Sequence, residues 1–83
     1  MLKSDDLAVG TTAVELTQNI DVDQEFVFHI VATDPGFTIG DSSVTATNGV
    51  PVPAEPLRLQ SGSRVYGVFA SGTHAVHVLA YSA

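Results

Sequence analysis

The sequence predicts an all-β fold, a small antiparallel β-sandwich or β-barrel of about seven or eight short strands. Three observations point to it. Apolar and polar residues alternate through Gln24–Ala32 and through Arg64–Tyr81, the period of a strand rather than a helix. Turn residues return at short, regular intervals, which is the spacing of a small β domain. The middle of the chain, Phe37 to Pro53, is a series of β-prone runs cut by Gly40-Asp41-Ser42 and by Asn48-Gly49. Asn-Gly is the strongest short hairpin signal, because both residues tolerate the positive φ of a type I′ turn.

Taken in order, Met1 to Asp6 reads as a flexible N-terminal arm, because Lys3, Ser4, Asp5 and Asp6 show no apolar period. The single β domain is then expected over residues 7–83. Leu7-Ala-Val9 is a short strand and Gly10-Thr-Thr12 a turn. Ala13 to Thr17 alternates, with Glu15 between Val14 and Leu16; a helix is the rival there, but the β-branched residues favour strand. Gln18 to Asp23 is a polar connection. In the strand that follows, Phe26, Phe28 and Ile30 share one face, the core face, while Glu25, Val27, His29 and Val31 share a mixed one. Asp34-Pro35-Gly36 stops it.

Phe37 to Ile39, Val44 to Thr47 and Val50 to Val52 are the runs of the central stretch. Pro51, Pro53 and Pro56 suit an edge or an extended loop, since proline cannot serve a central ladder. Leu57-Arg58-Leu59 is a short strand, and Ser61-Gly62-Ser63 a turn. Residues 64–80 read as a hairpin about Ser71-Gly72, pairing Ala70 with Thr73. In that hairpin Tyr66, Val68, Ala75, His77 and Leu79 share one face. Both hairpin faces are apolar, so both must be covered, one of them by something outside the hairpin's own sandwich.

Composition narrows the function. Eighty-three residues make one domain, with an expected stability of roughly 4–12 kcal/mol. There is no cysteine, so no disulfide or Cys-based zinc site supports the core, and the redox compartment is left open. Hydrophobic residues make up 45% and charged residues only 14%, more apolar surface than so short a chain hides alone, which predicts self-association or a larger partner. The net charge is −6. Eight carboxylates stand against Lys3 alone in residues 1–41, and Glu55 against Arg58 and Arg64 afterwards. Phosphate binding needs the opposite balance, so nucleic acid is not an expected partner. No apolar run approaches the length of a membrane span. The start of the chain lacks the apolar stretch of a signal peptide, which predicts synthesis in the cytoplasm.

Residue spacing argues against catalytic and metal chemistry. His74 and His77 are three apart, so on a strand they point to opposite faces, and His29 can join only one of them. Asp21-Val-Asp23-Gln-Glu25 has the look of a calcium loop but places Phe26 and Ala32 where an EF-hand needs Gly and Glu; an irregular site with Asp5 or Asp6 stays open. No serine sits in a Gly-x-Ser-x-Gly setting, and no glycine-rich phosphate loop occurs. No enzyme activity, metal or cofactor is expected.

The pattern Phe37-Thr-Ile39-Gly40-Asp-Ser-Ser-Val44-Thr45-Ala-Thr-Asn-Gly49-Val-Pro-Val52 resembles one that recurs in small virion proteins of tailed bacteriophages. It is followed by Leu57-Arg-Leu59, by Val65-Tyr66, by the Ser71–Thr73 turn and by the closing strand Val76–Leu79, and preceded by Val9-Gly10-Thr-Thr12-Ala-Val14. The resemblance is to the capsid decoration, or cement, proteins that stabilise the head. It implies a non-enzymatic structural protein on the outer surface of the virion, made in the bacterial host cytoplasm, bound to the major capsid protein and often a homotrimer. A fibre or tail accessory protein, or a small module binding carbohydrate or a host surface, are the alternatives. The hairpin face of Tyr66, Val68, Ala75, His77 and Leu79 is then the expected contact between subunits, where Val68→Asp would break association and protonation of His77 would weaken it. The alternative is that this face lies under the protein's own second sheet, which would make Val68→Asp a folding defect.

Overall fold

The computed structural model describes residues 2–83. Eight strands follow one another: β1 (Leu2–Val9), β2 (Val14–Glu15), β3 (Phe26–Val31), β4 (Phe37–Gly40), β5 (Val50–Pro51), β6 (Leu57–Leu59), β7 (Tyr66–Phe69) and β8 (His74–Ser82). They form two four-stranded antiparallel sheets, β1-β8-β3-β6 and β2-β7-β4-β5. The fold is therefore an all-β sandwich, not a closed barrel. Its connectivity has a simple rule: β1 pairs with β8, β2 with β7, β3 with β6 and β4 with β5. A long folded-over ribbon wound into two sheets is the jelly-roll arrangement.

Alternation decides what goes inside. Phe26, Phe28 and Ile30 of β3 are buried, as their period predicts. They meet Val76, Val78 and Ala80 of β8, Leu7 and Val9 of β1, and Ile39 and Phe69 of the second sheet in one core. Two aromatic pairs fill it: Phe26 and Phe28 edge to face at 6.0 Å, and Phe37 and Phe69 at 4.8 Å. Leu16, Ile20 and Val22 in the long connection after β2 are buried too and join the same cluster. Thr17 is the one buried polar side chain among the described residues. Its hydroxyl donates to Glu15 Oε2 at 2.8 Å and accepts the Val65 N–H at 3.4 Å, while Arg64 Nη1 donates to the same Glu15 oxygen at 2.9 Å. The burial of Thr17 is thus matched by hydrogen bonds.

Three expectations are corrected. Residues 64–80 are not a hairpin: β7 lies in one sheet and β8 in the other. Gly72, at φ +74°, helps the chain arch across the sandwich, and the His74 ring packs back on Phe69 at 4.5 Å. A period of two tells which residues face inward, but the same alternation serves two strands side by side or face to face.

Residues 2–6 are not a loose arm, and Met1 lies outside the described residues. Leu2 to Val9 pairs with β8 along its whole length, from Leu2 opposite Tyr81 to Val9 opposite His74. An edge strand whose first residues are wet on both faces carries no apolar period; backbone pairing holds it.

Val44 to Thr47 is not a strand, and Asn48-Gly49 is not a type I′ turn, since positive φ among the described residues falls at Gly36, Gly62 and Gly72 alone. Asn48 closes this loop with its side chain: Oδ1 accepts the Thr45 N–H at 2.7 Å, and the Gly49 N–H donates to the Thr45 carbonyl at 3.0 Å. Gly49 is needed for close approach, because a Cβ there would lie 2.5 Å from Thr38 Oγ1.

Candidate functional site

The five residues expected to share an assembly face do not share one. Ala75, His77 and Leu79 stand on the outer face of the β1-β8-β3-β6 sheet. Tyr66 and Val68 stand on β7, on the outer face of the opposite sheet. Val68 is only 2% exposed and lies outside the main core cluster. Its register partner is Thr38, whose hydroxyl donates to the Thr45 carbonyl at 3.3 Å, so the 41–49 loop folds over this face. Val44 of that loop is buried as well and sits within van der Waals reach of Gly40 and Gly49. What covers Val68 is the chain's own loop, not a neighbour.

The outer face of the β1-β8-β3-β6 sheet is different. Register places Leu2, Ser4, Asp6 and Ala8 of β1 beside Tyr81, Leu79, His77 and Ala75 of β8, and Val27, His29 and Val31 of β3 on the far side of these. Leu2, Val31 and Tyr81 are among the large hydrophobic residues left exposed. Between the strands lies an open depression of about 330 Å³, lined by Ser4, Asp6, His29, Val31, His77 and Leu79 among others. His77 Nδ1 and Asp6 Oδ1 are 2.5 Å apart at its rim.

The histidines fall where parity puts them. His74 points inward at the end of the sandwich, with Nε2 3.0 Å from the Ser71 carbonyl and Nδ1 3.3 Å from Asp34 Oδ2. His77 points outward and shares the depression with His29. No set of three or more His, Cys, Asp or Glu side chains among the described residues is grouped to hold a metal ion. In the acidic stretch, Asp21 Oδ1 accepts the Asp23 N–H at 3.0 Å, and Asp5 Oδ2 accepts from Asn19 Nδ2 at 2.6 Å.

A second depression, of about 310 Å³, lies beside the 41–49 loop with Asp41, Ser43, Asn48 and Val44 in its wall. Its polar groups serve the loop itself: Asp41 Oδ1 accepts from both the hydroxyl and the N–H of Ser43. These bonds, the hydroxyl first, hold the Asp41 carboxyl below its ordinary range.

Sequence reasoning had Ala75, His77 and Leu79 together but not their partners on β1 and β3. Alternation groups Glu25, Val27, His29 and Val31 on one mixed face, and three of them, Val27, His29 and Val31, lie on the strand that borders β8. The β1 contribution leaves no signal in the sequence, because Lys3 to Asp6 has no apolar period. No family model, no curated protein and no solved structure matches this chain.

Proposed function

We propose that this chain is a non-enzymatic structural protein of a phage virion, a decoration or cement protein that binds the outer surface of the head and stabilises it. The observation that carries the reading is the outer face of the β1-β8-β3-β6 sheet. On a chain of net charge −6, Asp6 supplies the one carboxylate at a strand position of this face, and His77 sits against it. The rest is largely Leu2, Val27, Val31, Ala75, Leu79 and Tyr81. An apolar sheet surface of this kind, with Arg58 exposed opposite Val27 at its β6 edge, is suited to contact with another protein surface. The sequence resemblance supplies the identity of that surface, the major capsid protein of the shell.

The contact residues are accordingly Ala75, His77 and Leu79 with their β1 and β3 neighbours, and not Tyr66 or Val68. The homotrimer is what the resemblance implies, and Tyr66 and Val68, on the opposite sheet, share no face with Ala75, His77 and Leu79 that could build it. The proposal is for docking on the shell, with no set number of copies in solution.

The test is direct. Purified virions from the lysate that yields the protein should contain it at a copy number matching a lattice position, and heads stripped of it should lose resistance to heat or low salt and regain it when the protein is added back. Virions that lack the protein, or a protein that leaves stripped heads unchanged, would sink this reading.

A further inference from the structure

Unpaired sheet edges invite another strand, and natural sheets blunt them by shortness, proline or charge. This sandwich has four edges: β1 and β6 on one sheet, β2 and β5 on the other. β2 and β5 are two residues long and β6 three. Pro51 lies within β5, and Pro56 stands immediately before β6. β1 is unlike these. It runs for eight residues with neither proline nor glycine, and its ladder is made to β8 on one side.

Charge is the remaining way to blunt an edge, and the charges of β1 are arranged for a copy of itself. Lys3 and Asp5 are two residues apart, so they stand on the same side of the strand. Let two β1 strands run antiparallel about a two-fold axis at Ser4. Lys3 of each copy then faces Asp5 of the other, and Ser4 faces Ser4. Directly opposed residues share a face, where opposite charges attract and like charges repel. Moving the axis to Lys3, Asp5 or Asp6 sets each of those residues against itself. Axes at Leu7 or Ala8 pair no opposite charges at all. One register therefore satisfies the pattern. Lys3 is exposed, and Asp5 is half-exposed, with its carboxylate accepting from the Asn19 amide at 2.6 Å and from the Asp6 N–H at 3.0 Å; the incoming Lys3 would add a charge partner to it.

We propose that β1 is a docking edge for a second copy of this chain, forming an isologous dimer with one eight-stranded sheet across it. The two apolar outer faces join into a single surface twice as wide. This dimer does not depend on the head-binding reading.

Ser4→Cys tests the register. The chain has no cysteine of its own. Opposed residues in an antiparallel pair have Cα atoms about 4.5–5.5 Å apart, within the roughly 4.4–6.8 Å that a disulfide spans. Mild oxidation should therefore convert Ser4→Cys to a reducible covalent dimer, and Ala8→Cys, on the same face but outside the paired stretch, should form one far more slowly. By analytical ultracentrifugation, Lys3→Glu should weaken the dimer by about tenfold or more, and Lys3→Glu with Asp5→Lys should restore it to within about threefold of wild type. Circular dichroism on each variant keeps folding apart from association. A wild type that stays monomeric at millimolar concentration overturns the proposal. So do a trimer, a Lys3→Glu protein that associates like wild type, a charge swap that restores nothing, or crosslinking at Ala8→Cys as fast as at Ser4→Cys.

Discussion

At the scale of single residues, Val68 shows how one position changes meaning with its surroundings. An apolar residue on a β-strand face reads as a contact between subunits until the 41–49 loop is seen to close over it. Val68→Asp should then be a folding defect, costing several kcal/mol because a carboxylate is left buried without a partner. The strand content seen by circular dichroism should collapse whatever the protein concentration. Leu79→Asp, on the half-buried outer face of β8, should stay folded; if both variants fold equally well, the cover over Val68 is not what the structure shows.

Gly67 is a second such case. A Cβ there would lie 2.6 Å from Phe37 Cζ, and the Phe37 ring packs on Phe69. Gly67→Ala should cost about 1–3 kcal/mol by displacing that pair, read as a lower urea midpoint.

Asp41 gives the pH counterpart. Its folded carboxyl is depressed below the ordinary 3.8, first by the Ser43 hydroxyl. A depressed acid contributes stability that is present above its unfolded value and is lost as pH falls through its folded one. The wild type should therefore exceed Ser43→Ala in stability at pH 6, and the gap should shrink by pH 2 in parallel urea titrations.

Elements explain what was legible and what was not. The inward set of β3 could be read from Phe26, Phe28 and Ile30, and the inward set of β8 from Val76 and Val78, because burial imposes its period on the residues directly. Strand partners leave a weaker mark. Arg64 to Tyr81 alternates throughout, yet the turn at Ser71-Gly72 carries the chain from one sheet to the other instead of back along the same one. Asn48-Gly49 had a strong hairpin signature, but the Asn48 side chain bonds to Thr45 and closes a loop of another kind. β1 was illegible for the opposite reason: Lys3 to Asp6 holds its place by a backbone ladder, which has no residue code. Removing residues 2–6 distinguishes an arm from a strand. Loss of an arm should leave the urea midpoint within about 0.5 kcal/mol of wild type. Loss of five of the eight β1 pairings uncovers β8 and should destabilise the fold by several kcal/mol, with protease sensitivity rising along β8.

At the scale of the whole molecule, the two sheets present unequal outer faces. One is closed by its own loop, with Val44 of that loop and Val68 of the sheet both buried. The other lies open, with Leu2, Val31 and Tyr81 exposed around the His77–Asp6 pair. That pair also means that His77 does not stand on this face as an isolated group, since its Nδ1 lies against the Asp6 carboxylate.

The open face can be tested against a control, because each sheet carries an exposed valine: Val31 on the open face, and Val50 at the β5 edge in register with the inward Ile39. Val31 is 41% exposed on β3, and Val50 is 57% exposed on β5 of the loop-covered sheet. Aspartate at either place stays in water, so each variant should keep a urea midpoint close to wild type, within about 0.5 kcal/mol. Only Val31→Asp puts a charge into the surface assigned to the head. It should lower retention on stripped heads by about tenfold or more, since a charge at a contact must be desolvated without a partner, and Val50→Asp should bind as wild type does. Equal binding by both variants would show that the open face is not the one used. A loss confined to Val50→Asp would move the contact to the β5 edge.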